Sequence, residues 1–188
     1  METNQTALLF PGGVREVFHR KGEDYDLFWP EDKADFVRVA ARFNATVVPI
    51  SAIGSADSAN ILLDPEELVD LPFGIGDRLR NSSENTIAAR FDQSNSDELF
   101  VPPLVTPGIP ARHYFIFGKP FHTASVDHTN RQTCMSLYSE VRSELRRGLD
   151  DLIAARETDP FKDFATRLAV ERLSGKQAPT FSIDELNK

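Results

Sequence analysis

From about Gln132 to Arg156, the residues Met135, Tyr138, Val141, Leu145, Leu149 and Leu152 recur at steps of three or four. That spacing puts them on one face of a single helix. At 1.5 Å per residue such a helix is about 38 Å long, so its apolar stripe needs an equally extended apolar layer to lie on. The rest of the sequence has to supply that layer, and several short strand-like runs are available to do so. Ala7 to Phe10 is apolar and stopped by Pro11-Gly12-Gly13. Thr46 to Ile53 is β-branched and apolar and ends at Gly54, Asn60 to Leu63 offers a shorter run, and Arg112 to Phe117 is closed by Gly118-Lys119-Pro120. Pro102-Pro103, Pro107 and Pro110 make a stiff, extended approach to the last of these.

Between the first two runs, Pro30-Glu31-Asp32 reads as a helix start, and Phe36, Val37, Val39, Ala40 and Phe43 continue at helical spacing to a left-handed cap at Asn44. Strand, loop, helix, strand reads as a βαβ unit, which implies a parallel pair. Pro49 inside the second run marks an edge or a bulge. Asp64-Pro65-Glu66-Glu67 has the N-cap, proline and capping-box pattern of a helix opening. Residues 74–98 are a polar insertion, a second C-terminal helix runs from Asp159-Pro160 to Leu173 within a helical region spanning 132–173, and the tail from Lys176 reads as a surface strap. The expected class is α/β, with a mixed, largely parallel sheet flanked by helices.

Composition narrows the chemistry. The 188 residues suit one domain. The single cysteine, Cys134, excludes an intrachain disulfide framework and gives no zinc spacing. A formal charge of −8 disfavours nucleic acid as a partner. No run reaches the length of a membrane-spanning helix, and the residues from Met1 to Gln5 have neither the basic start nor the apolar core of a signal peptide.

The stretch with the most chemistry is Phe10-Pro11-Gly12-Gly13, followed by Arg15, Glu16, Arg20 and Lys21. Paired glycines allow positive φ and close backbone approach, and successive free N–H groups in such a turn can cradle an anion or a developing oxyanion. On its own a glycine pair marks only a tight turn. The three cations add positive charge beside it, and Glu16 is suited to hold Arg15 or the turn in place. His122 and Asp127 have the spacing of a general base with an orienting carboxylate, but they lie in a polar connection past Gly118-Lys119-Pro120, where a solvated loop is the simpler reading. His19 and His113 are isolated, and Glu66-Glu67 and Asp150-Asp151 read as solvated helix faces. No nucleophile elbow, phosphate-binding lysine loop or dinucleotide-binding glycine turn is present. Leu27-Phe28-Trp29 packs on the core or dips into lipid.

Taken together, Leu9-Phe10-Pro11-Gly12-Gly13-Val14-Arg15-Glu16, His19-Arg20-Lys21-Gly22-Glu23, Leu27-Phe28-Trp29-Pro30, Phe36-Val37-Arg38, Ala40-Ala41-Arg42-Phe43, Val47-Val48-Pro49, Tyr114 with Phe117-Gly118-Lys119-Pro120, and Asp159-Pro160-Phe161 resemble the lysophospholipid-acyltransferase-like family, in particular its plant phytyl ester synthase and diacylglycerol acyltransferase group. The resemblance implies that residues 1–188 are a partial, N-terminally incomplete acyltransferase domain with a glycerol-phosphate-acyltransferase-like fold. It implies transfer of a fatty acyl group to phytol or diacylglycerol, with acyl-CoA or another acyl donor as co-substrate and with no cofactor or metal. The partners would be lipid substrates, with peripheral association at a plastid or other intracellular membrane surface. Phe10, Pro11, Gly12, Gly13, Arg15, Glu16, Arg20 and Lys21 would belong to the acyl-acceptor site. In the family an HxxxxD block supplies the catalytic base upstream of the glycine turn. His122 and Asp127 lie on the wrong side of the turn to replace it, so no catalytic residue is assigned and the chain alone is expected to be inactive. The alternative expectation is a non-catalytic lipid- or partner-binding remnant of that domain.

Overall fold

The computed structural model describes residues 5–84 and 101–179. Within them the long periodic stripe forms helix α5 (Arg131–Thr158), whose Asn130 side chain accepts the Thr133 N–H at the first turn. Cys134, Tyr138, Val141, Leu149 and Leu152 are buried, while Met135 and Leu145 pack against the core margins. α5 spans two core clusters. Its first half meets Trp29, Ala34 and Val37, the last of these on helix α2 (Asp35–Arg42). Its second half meets Ile53 and Tyr114 from the strands.

The strands are β1 (Thr46–Val47), β2 (Ile50–Ile53), β3 (Ala59–Leu63), β4 (Leu104–Pro107), β5 (Tyr114–Phe117) and β6 (Phe121–His122). β1 pairs with β6, β2 with β5 and β3 with β4, each antiparallel. The expected largely parallel sheet is not what forms. A helix between two strands implies parallel pairing only if those strands are neighbours. Residues 7–10 are not a strand, and Leu8, Leu9 and Phe10 are exposed rather than buried. The chain instead turns back on itself in one interrupted ribbon, in which rising residue numbers on one arm meet falling numbers on the other. From Thr46↔His122 to Ile50↔Phe117 one arm advances four residues and the other five, and from Ile53↔Tyr114 to Ala59↔Pro107 six are set against seven. Each interruption therefore accommodates one extra residue, as a bulge does. Pro49 lies at the first break and has no N–H to donate; its carbonyl accepts from Gly118 N at 2.9 Å. Gly54, with φ +110°, lies at the second.

α5 crosses β2 very closely. A Cβ at Gly148 would collide with Ser51 Oγ, which donates to the Leu145 carbonyl at 2.8 Å. Helix α3 (Pro65–Val69) has the expected capping box, with the Asp64 side chain bound to the Glu67 backbone N–H and the Glu67 side chain bound to Asp64 N. Asn44 takes the left-handed conformation, φ 51°. Helix α4 (Ile75–Glu84) occupies the first part of the polar insertion, whose remainder lies outside the described residues. Helix α6 (Phe164–Ser174) starts later than expected because Asp159, Pro160 and Phe161 form a turn instead. That turn is clamped: Asp159 accepts from Phe161 N at 2.8 Å, from Tyr114 Oη at 2.6 Å and from Arg112 at 3.1 Å. Arg112 also holds the Ala178 carbonyl at 2.9 Å, which ties down the start of the tail.

Candidate functional site

The glycine turn opens a short helix, α1 (Gly13–Val17). Gly13 has φ +56° and its N–H donates to the Phe10 carbonyl at 3.0 Å, which closes the turn. Gly12 needs to be glycine for a different reason, since a Cβ there would run into the Glu16 side chain folded over it. The Glu16 carboxylate accepts the Phe28 N–H at 3.1 Å and is also hydrogen-bonded by the Gly12 backbone and the Trp29 side chain. The concavity that an external anion could enter is thus occupied by the protein's own carboxylate. Burial raises the Glu16 pKa above its ordinary value, and these hydrogen bonds to Phe28, Gly12 and Trp29, together with the charge of Arg142, offset part of that rise.

The three cations beside the turn do not form an open positive patch. Arg15 pairs with Glu23 at 2.5 Å and its guanidinium lies over the Phe28 ring, 3.9 Å from the centroid. Glu23 also accepts Arg20 N at 2.7 Å, and its hydrogen bond from Arg15 holds its carboxyl below the ordinary range. Arg20 reaches Glu66 and Lys21 reaches Glu67, each at 2.6 Å, and Lys21 N donates to Asp64 at 3.0 Å. Residues 18–24 therefore lie across the first turn of α3, where the carboxylates that the sequence suggested were merely solvated act as partners for two of the basic residues. His19 pairs with Asp24 at 3.2 Å.

The segment that follows runs along α5. Tyr138 Oη donates to the Pro30 carbonyl at 2.6 Å and Arg142 donates to the Leu27 carbonyl at 3.3 Å. Trp29 is buried against Phe36 and Tyr138, with ring centroids 5.6 and 5.5 Å away, so this loop cluster packs on the core. Tyr25 takes a left-handed conformation, φ 66°, and its hydroxyl bonds with Asp57 and accepts from Gly54 N. An open hollow of about 530 Å³ lies between this segment and α5, lined by Leu27, Phe28, Ser139, Arg142 and Arg146 among others.

Phe10 is exposed, Pro11 and Gly12 are half-buried, Gly13 is exposed, and Arg15, Glu16 and Arg20 are half-buried with Lys21 exposed. The structure brings Gly12, Glu16, Phe28 and Trp29 together, and separately Arg15 with Glu23. Glu23, Phe28, Trp29, Asp64, Glu66 and Glu67 were not in the expected site. Their contacts span as many as 46 residues and leave no periodic signal in the sequence. His122 and Asp127 are engaged separately, with His122 Nδ1 3.0 Å from Thr46 Oγ1 and Asp127 accepting from Thr129 N and Oγ1. Among the described residues no helix is long and apolar enough to cross a membrane, and no group of three or more potential metal ligands is found.

No family model matches the chain, and no solved structure matches it. Two curated plant proteins do. The chain is 36% identical over 182 residues to phytyl ester synthase 2, chloroplastic, of Arabidopsis thaliana, covering 94% of the chain and 26% of that protein. It is 33% identical to phytyl ester synthase 1, chloroplastic, of the same plant, covering 96% of the chain and 27% of the relative. The chain spans about a quarter of the length of the curated relatives it matches, and along almost all of its own length it is similar to these chloroplastic phytyl ester synthases.

Proposed function

We propose that this chain is the acyl-acceptor side of an ester-forming acyltransferase that joins a fatty acyl group to phytol. The observation that carries this reading is the 33–36% identity, over nearly the whole chain, to two proteins named as phytyl ester synthases. The glycine turn supports it physically. Leu8, Leu9 and Phe10 present exposed apolar side chains immediately before a turn whose interior is polar, a combination that suits an isoprenoid alcohol with one hydroxyl and a long hydrocarbon tail. Diacylglycerol, which also offers one free hydroxyl on an apolar body, is the second acceptor of the same chemistry. The acyl donor is a thioester or an acyl lipid used as co-substrate, and the setting is a plastid or other intracellular membrane surface.

The separate engagement of His122 and Asp127 favours a second reading, in which this chain is a non-catalytic lipid- or partner-binding remnant of such a domain that no longer supports acyl transfer. The two readings part in one experiment. Phytyl ester synthase 2 with its aligned quarter replaced by this chain is incubated with labelled acyl-CoA and phytol, beside the chain alone. Ester formed by the hybrid and not by the chain alone supports the acyltransferase reading. A folded hybrid that binds phytol but forms no ester with acyl-CoA or acyl lipid leaves only the binding reading.

A further inference from the structure

The outer face of the β2–β5 ladder is an apolar surface with nothing described upon it. Along β2, Ser51 and Ile53 are buried on the side facing α5, while Ile50 and Ala52 face outward. β5 mirrors this, with Tyr114 buried and Phe115 and Phe117 61% and 70% exposed. The register sets Ile50 opposite Phe117 and Ala52 opposite Phe115, so these four side chains make one patch without a charge or a hydroxyl. Among the described residues β2 and β5 pair only with each other, which leaves a free edge on each. Exposed aromatic residues on an open-edged ribbon mark a contact surface.

We propose that this face docks against the part of a longer synthase polypeptide that lies outside the aligned quarter, the two being one chain in the working enzyme. The inference rests on the reading above that this chain works as part of such an enzyme. Size selects the occupant. Four-residue strands span about 13 Å and lie about 5 Å apart, a footprint far below the roughly 800 Å² per partner that holds separate molecules together. A covalently joined segment needs no such area, because tethering holds it at about millimolar effective concentration. The relatives supply that segment, since with 26% and 27% of their lengths aligned roughly three quarters lies outside. An uncharged aromatic face fits an apolar protein element better than a charged partner or a headgroup.

The test places a photo-crosslinking phenylalanine analogue at Phe117 in the hybrid synthase described above. The expected product is a crosslink to peptides of the synthase outside the replaced region. In parallel, Phe117→Asp should lower the melting temperature of the hybrid by about 3 °C or more while moving that of the isolated chain by less than about 1 °C. Crosslinks to residues 85–100 of this chain, to a second copy or to added phospholipid vesicles would each overturn the proposal, as would equal temperature shifts in the two backgrounds. Should the hybrid not fold, the labelled chain is joined to the rest of the synthase through a flexible glycine-serine linker, which restores the tether, and the absence of a crosslink between the two joined parts overturns it. Ester synthesis is scored separately. A crosslink without ester removes the functional reading alone, and ester without a crosslink removes the docking face alone.

Discussion

The core around α5 and the glycine-turn segment are held by different forces. Val37, Val141 and Cys134 are at most 2% exposed, and the Trp29, Phe36 and Tyr138 rings interlock above them. The glycine-turn segment leaves Leu8, Leu9, Phe10 and Val17 in solvent and is fastened by carboxylates instead. Glu16 lies inside the turn, Glu23 under Arg15, and Glu66 and Glu67 under Arg20 and Lys21. Apolar burial contributes several kcal/mol per large side chain, whereas exposed ion pairs contribute well under about 1 kcal/mol each. The core is therefore a scaffold fixed at folding, and the turn is a polar clasp that can loosen without unfolding it.

The largest effect should come from breaking the scaffold. Tyr138→Ala removes a ring packed on Trp29 and Phe36 and leaves the Pro30 carbonyl without its donor, which should cost about 3–5 kcal/mol in urea unfolding. A loss below about 1 kcal/mol would mean that the aromatic cluster does not hold the two regions together. Next comes the clasp's interior. Glu16→Ala leaves the Phe28 amide and its companion donors unpaired, at a cost of about 1–3 kcal/mol. The emission of Trp29, the only tryptophan, should shift with it; unchanged fluorescence would separate Glu16 from the turn's structure. Arg15→Ala removes one ion pair and one ring contact and should cost about 1 kcal/mol. Amide exchange should quicken in residues 18–24 and hardly at all in α5; faster exchange in both regions would dissolve the distinction.

The smallest effect is a pH dependence of opposite sign at two neighbouring carboxylates. Glu23 is held below its ordinary value of 4.5 by Arg15, so its contribution is present above that value and is lost as the pH falls through the lowered folded-state value. Glu16 is raised above 4.5 by burial, so its contribution is largest below that value and is lost as the pH rises through the raised one. Glu67, held low by its hydrogen bond from Lys21, acts with Glu23 against Glu16, so stability of the segment, followed by exchange of the 18–24 amides between about pH 3 and 7, should fall toward acid in the native chain. In Glu23→Gln that fall should flatten or reverse; an unchanged profile would remove Glu23 as its source.

The site was legible in part. Gly12, Gly13, Arg15 and Glu16 stand out in the sequence because a glycine turn packed with charge is a local signal, and in the structure Glu16 folds over Gly12 while Arg15 pairs separately with Glu23. The fold gives the turn's interior to Glu16, and it gives the cations to Glu23, Glu66 and Glu67. Those acids were invisible as partners because any of 29 acidic residues could have served, and the choice depends on how the 18–24 segment lies against α3.

What the sequence determined by itself is what rests on spacing within one turn of chain: the stripe of α5, the capping box at Asp64 and the left-handed Asn44. Helix periodicity and capping act over three to seven residues and do not depend on what lies opposite. What only the tertiary structure decided is which strand meets which. Thr46 to Leu63 could have paired with a strand at Ala7 to Phe10 as well as with Leu104 to His122, and β propensity is the same for either partner. The return through Gly54, Pro49 and Gly118 settled it, because the ribbon lets α5 cover Ser51, Ile53 and Tyr114 at once. Burial under one long helix selected the antiparallel pairing that local pattern could not.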